Sequence, residues 1–104
     1  MRAENRNDIY GDFEWDEGKE RDNLRTHGIS FTEATTVFGD PFGVINRSRK
    51  HSLGETRYVI IGMSNRNHLL LVAYTVRGRT RIISARKVEP RERRAYEEKA
   101  EGKF

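Results

Sequence analysis

Apolar residues are sparse along this chain except over residues 56–86, TRYVIIGMSNRNHLLLVAYTVRGRTRIISAR, where their density predicts three consecutive antiparallel strands. Thr56 to Ser64 and His68 to Arg77 are rich in Val, Ile, Leu and Tyr, which suit a pleated surface. The intervening Asn65-Arg66-Asn67 tolerates positive φ and reads as a hairpin turn, and Gly78-Arg79 makes a similar link to a third strand, Thr80 to Lys87. Val59, Ile61 and Met63 alternate with Tyr58 and Ile60, and Leu70 and Val72 with Leu69, Leu71 and Ala73, so both faces of the meander are apolar at its centre. Such a sheet needs cover on two sides. Toward the strand ends Arg57, Arg77, Arg81 and Arg86 interrupt the apolar pattern, together with Thr75 and Ser84.

The rest of the chain supplies that cover. Phe13 and Trp15, at alternate positions, predict a short strand that joins the meander. Asp16 then caps a helix from Glu17 to about Thr26, stopped by Gly28; Leu24 is nearly its sole apolar anchor, and Lys19, Asn23 and His27 recur along one face that reads as solvated. Ser30 and Glu33 have capping-box spacing, so a second helix begins there and ends before Gly39, with Phe31, Ala34, Val37 and Phe38 on its apolar side. Phe42 to Asn46 reads as a strand beside the first strand of the meander. Pro90 opens a last helix running to Gly102, packed through Ala95 and Tyr96. The expected organisation is a polar tail over residues 1–8 and one α+β domain over residues 9–104, with two N-terminal helices on an antiparallel sheet and a C-terminal helix.

Composition narrows the class. With 104 residues, 35% of them hydrophobic, and a mean hydropathy of −0.88, the core is small. There is no cysteine, which excludes disulfides and thiolate metal sites and fits a reducing cytoplasm. No signal or membrane segment is expected, since the longest apolar run falls far short of the roughly 20 residues a spanning helix needs. The net charge of +4 conceals an asymmetry: residues 1–40 carry 5 Lys/Arg against 10 Asp/Glu, and residues 41–104 carry 15 against 6. The basic part holds the meander, which suits a polyanion and equally suits simple solvation. Within the basic loop RSRKHSLGE, residues 47–55, His51 and Glu55 precede Arg57, so an imidazole, a carboxylate and a guanidinium fall within seven positions. An ordinary Glu55–Arg57 ion pair on a flexible loop explains the same residues.

The segments FEWDEGKERDNLRTHGISFTEA, HSLGETRYVIIGMS and RIISARKVEPRERRAYE together resemble the BrnT family, the toxins of bacterial type II toxin–antitoxin pairs. The ordered combination W-D, K-x-x-x-N-L-x-x-H-G, H-S-x-G-E-x-R, R-I-I-S-A-R and R-E-R-R-x-Y-E carries the resemblance across residues 13–97. One departure is Glu89-Pro90, where the family often has Thr or Ser capping the last helix. The resemblance implies a RelE-like fold, RNA cleavage, growth arrest in the cytoplasm, and neutralisation by a BrnA-like antitoxin in a hetero-oligomer, operator DNA being bound only through that antitoxin. Cofactor-free RNA cleavage requires a proton acceptor for the 2′-hydroxyl, a donor for the leaving 5′-oxygen and cations at the phosphate. Under that implication Arg57, Arg81 and Arg86 clamp the phosphate and His51 and Glu55 transfer protons. Tyr74, Arg77 and Lys19 are further contacts to the substrate, Tyr74 by orienting the scissile group or stacking a base. The basic part has no carboxylate cluster for Mg²⁺, so no metal or other cofactor is expected. The alternative is a non-catalytic module binding RNA or protein through the same arginines; a DNA-reading factor would need a recognition helix that this pattern lacks.

Overall fold

The computed structural model describes residues 7–48 and 54–102. Both hairpins of the meander form, with Asn67 at φ 62° and Gly78 at φ 78° in the left-handed conformation their turns require. The elements are β1 (Asn7–Tyr10), β2 (Phe13–Asp16), α1 (Glu17–His27), α2 (Phe31–Thr36), a 3-10 turn (Val37–Gly39), β3 (Val44–Arg47), β4 (Tyr58–Met63), β5 (Leu69–Arg77), β6 (Arg79–Lys87) and α3 (Pro90–Ala100). Six strands make one sheet in the order β1-β2-β6-β5-β4-β3. The sheet is mixed, which corrects the antiparallel expectation: β2 lies parallel to β6, Phe13 beside Thr80 and Glu14 beside Arg81. A parallel neighbour needs a long crossover, and the helices and strands between β2 and β6 provide it. Residues 7 and 8, assigned to the tail by their polarity, are the first half of β1; hydrogen bonding to β2 organises them without apolar side chains.

Alternation sorts the apolar residues onto two faces. Ile60, Leu70, Val72, Tyr74, Ile82 and Ala85 meet Trp15, Ile29, Phe31, Ala34 and Val37, so the N-terminal half of the chain covers one side. Ile61 and Leu69, with Val44, Met63, Leu71 and Val88, meet Tyr96 of α3 on the other. Gly62 allows the 3-10 turn to come close, because a Cβ there would stand 2.8 Å from a Val37 methyl.

Helix α1 is fastened differently from the expectation. Leu24 is 45% exposed, and the anchor is the buried Asn23. Its amide donates to the carbonyls of Ile29 and Ala85, both at 2.9 Å, and accepts from the Ala85 N–H at 3.1 Å. One side chain therefore satisfies backbone groups of the loop after α1 and of β6 together. The helix ends correspond to the expectation, with Asp16 accepting from the Lys19 N–H and Gly28 at φ 73°.

The capping box of α2 is half formed. Ser30 accepts from the Glu33 N–H at 3.0 Å, but the Glu33 carboxylate turns away and accepts from the Ser64 hydroxyl at 2.6 Å, with His68 Nδ1 at 2.7 Å. It thereby ties α2 to the β4–β5 turn. Burial raises the Glu33 pKa, and the bonds from Ser64 and His68, with the His68 charge, outweigh that and hold it below 4.5.

Helix α3 is docked mainly by polar contacts. Tyr96 is its one buried residue, while Ala95, expected to pack, is exposed. The Tyr96 hydroxyl donates to Asp40 at 2.7 Å, Lys99 donates to the Gly43 carbonyl, and Arg86 makes a fork to Glu92 at 3.0 and 2.8 Å. Glu92 also accepts from the Glu89 N–H at 2.8 Å, which starts the helix without a Ser or Thr cap. Burial raises the Asp40 pKa, but the Met63 N–H, the Tyr96 hydroxyl and the Phe42 N–H lower it further, to below 3.8.

These shifts give a pH dependence with two signs. Glu33 and Asp40 have folded pKa values below their unfolded ones, so their stabilisation is present above about pH 4.5 and is lost as pH falls through the folded values. Tyr96, pushed up from 10.0 to about 12 by burial and by Asp40, gives stabilisation that is complete below 10 and lost as pH rises toward 12. Thermal melts across this range should therefore fall at both ends, and Tyr96→Phe should flatten the alkaline fall. An alkaline limb unchanged by Tyr96→Phe would show that this bond does not hold α3.

Candidate functional site

Several strand termini meet at one end of the sheet. β3 ends at Arg47 opposite Tyr58, β5 ends at Arg77 opposite Arg79, and β2 begins at Phe13 beside Thr80. Arg47, Arg57, Arg77, Arg79 and Arg81 consequently gather there from four parts of the sequence. The Thr75 hydroxyl donates to the Thr56 carbonyl at 2.7 Å, and the Ser48 N–H donates to the Arg57 carbonyl at 2.8 Å, so the segment entering β4 is held from both sides.

Cross-strand partners share a face. Thr75, Arg81 and Glu14 are such a set, on the side of the sheet that carries α3, and Arg57 has the same parity on β4 as Val59. Arg81 donates to Glu14 at 3.0 Å, each side chain 20% exposed, so the guanidinium is held with part of its surface in solvent. Glu55 lies beside this row, at a groove of about 520 Å³ lined by residues 54–56 and 75–77 and by Tyr58. Cationic forks beside carboxylates at an open groove can bind a phosphate diester and place a proton acceptor next to it.

Glu55 and Arg77 meet at this groove, with Arg57 next to its lining in sequence and Arg81 paired across from Thr75. Arg86 stands apart: it lies on the same face, five positions further along β6, roughly 15 Å at about 3.3 Å per residue, and it is engaged by Glu92. Its pKa is raised, chiefly by that hydrogen bond. Lys19 is on α1, which packs on the opposite face, where it lines a smaller hollow with Asn23, His27 and Ile83. Tyr74 is 7% exposed in the core beneath the helices, its pKa raised by burial and by Tyr58. His51 lies outside the described residues. Glu14 was missed by sequence reasoning, although the inward alternation of Phe13 and Trp15 already turns it to the other face. Among the described residues no group of three or more His, Cys, Asp or Glu is placed to hold a metal ion, and no helix is long and apolar enough to cross a membrane.

Residues 15–92 match a protein family described as the ribonuclease toxin BrnT of type II toxin–antitoxin systems. No curated protein sequence matches significantly. Among solved structures, the crystal structure of the Brucella abortus ribonuclease toxin BrnT is similar at a TM-score of 0.52 and 22% identity, over 72% of this chain and 92% of that one. At this identity the structural likeness concerns the fold, an α+β sheet with helices.

Proposed function

The chain belongs to the BrnT family of ribonuclease toxins of type II toxin–antitoxin systems, and from that premise we propose that it is a metal-independent endoribonuclease of RelE-like architecture that acts in the cytoplasm. The observation that carries this reading is a groove at the sheet end lined by Glu55 and Arg77, with Arg57 next to lining residues 56 and 58 in sequence and Arg81 paired across from Thr75 of the lining. Arg57 and Arg81 hold the scissile phosphate with fork-shaped donors and stabilise its additional negative charge in the transition state. Glu55 accepts the 2′-hydroxyl proton as the 2′-oxygen attacks phosphorus and the bond to the 5′-oxygen breaks, and His51 returns a proton to that leaving oxygen. Arg77 binds a neighbouring phosphate. Arg86 acts at a distance, by fixing the start of α3 through Glu92.

Neutralisation is assigned to a BrnA-like antitoxin in a hetero-oligomer that covers the basic sheet end, with operator DNA bound through the antitoxin. The rival reading is a binding module that uses the same arginines without catalysis. Incubation of purified protein with single-stranded RNA in excess EDTA distinguishes the two. Cleavage is expected to persist at an unchanged rate and to fail with Glu55→Gln while RNA binding is kept. Loss of cleavage on chelation, restored by Mg²⁺, overturns the metal-free mechanism; RNA binding with no cleavage under either condition favours the module.

A further inference from the structure

We infer that the groove at the sheet end is a nucleobase site in which Tyr58 is the stacking surface for one base of the RNA strand; this rests on the RNA-cleaving reading above. Among the described residues Tyr58 is the one aromatic residue lining the groove, and it is half-buried. Its ring stacks on Tyr74, with centroids 5.5 Å apart and planes at 27°. Tyr74 meets Phe38 edge-on at 4.9 Å, and Phe38 meets Phe13 at 5.0 Å. Four rings thus form a row that passes through the buried Tyr74, and Tyr58 is its member at the groove.

This placement suits a base for physical reasons. The row holds Tyr58 in position before any ligand arrives, so stacking on it loses little side-chain entropy. At about 520 Å³ the groove falls in the range of small-ligand sites, roughly 300–1,000 Å³. Val76, 55% exposed at the groove, is a large apolar residue left in water and offers a second apolar contact. Arg57 and Arg77 flank the same segment, so a base on Tyr58 has the phosphates of its own strand beside cations. Stacking is tolerant of base identity because each base has a π face. The site therefore accepts single-stranded RNA and excludes a base held in a duplex.

The test uses 2′-O-methyl RNA 12-mers, which lack the attacking hydroxyl, in an intact form and in a series with one abasic position each. Binding is read by fluorescence anisotropy for the wild type, Tyr58→Phe and Tyr58→Leu, with melting temperatures taken on the same preparations. The wild type should lose roughly ten- to a hundredfold in affinity at one abasic position, and Tyr58→Phe should behave the same way. Tyr58→Leu should bind the intact oligomer that much more weakly and show no further loss at the abasic position. Tyr58→Trp gives a readout that does not depend on the Leu variant folding: its emission should be quenched by the intact oligomer and not by the sensitive abasic one. An abasic series that binds uniformly to the wild type, or an equal abasic loss in Tyr58→Leu, overturns the inference while leaving RNA binding in place. A wild type that binds no oligomer at low salt overturns both this inference and the reading it rests on.

Discussion

Arg81→Ala is expected to lower the rate of RNA cleavage by about two to three orders of magnitude, and Arg86→Ala by less than about tenfold, with similar losses of stability. The two residues are well matched for comparison. Both are arginines on the same strand and the same face, and each is ion-paired to a glutamate, with side chains 20% and 32% exposed. Each truncation should cost on the order of 1–2 kcal/mol, since the pairs are hydrogen-bonded and partly screened by solvent. What differs is position. Arg81 stands across from Thr75, which lines the groove with Glu55, whereas Arg86 stands roughly 15 Å along the strand, holding α3. Cleavage rates and melting temperatures on the same preparations would separate the roles, and equal loss of activity in both would move the site toward α3. Glu14→Gln is a finer probe, expected to reduce cleavage by loosening Arg81 while the groove stays intact.

The largest stability effect is expected at Asn23. Asn23→Ala removes three hydrogen bonds and leaves the Ala85 N–H and the Ala85 and Ile29 carbonyls without their partner in a buried place. At about 1 kcal/mol per bond, plus the desolvation of stranded groups, the loss should be roughly 3–5 kcal/mol. That is a large part of the total for a small domain, about 5–15 kcal/mol. Leu24→Ala, next to it on the same helix, should change stability by about 0.5 kcal/mol or less, because Leu24 is 45% exposed. Urea unfolding of both variants tests this contrast, and equal losses would mean that α1 is held by apolar contact after all.

The difference between these neighbours shows what the sequence makes legible here. Periodicity identifies which residues alternate, so the meander, its hairpins and the division of Tyr58, Ile60 and Leu70 from Ile61 and Leu71 were readable from the pattern. The role of Asn23 was not, because its partners are backbone groups of residues 29 and 85, and no side-chain pattern marks where a backbone carbonyl will lie. Separation along the chain hid the true partners of Glu33, which has the spacing of a capping residue and is used instead by the side chains of Ser64 and His68, 31 and 35 positions away. At the candidate site, the strand-end arginines were visible as charges breaking an apolar run. Their grouping was not, since it depends on the register and on the parallel pairing of β2 with β6. That pairing brings Glu14 to Arg81 and leaves Arg86 to Glu92.

The pairing of β2 with β6 also bears on when the protein becomes dangerous to the cell that makes it. The β4–β5 hairpin is built from contacts between near neighbours and can begin to order while the chain is still being synthesised. The Glu14–Arg81 contact joins residues 67 positions apart, so it closes only after β6 has left the ribosome. A nascent chain halted just before β6 lacks Arg81 and also Ala85, so neither β2 nor α1 yet has its partner in the sheet. Under the proposed mechanism a chain without β6 is therefore harmless, and cleavage begins only when this central strand inserts between β2 and β5.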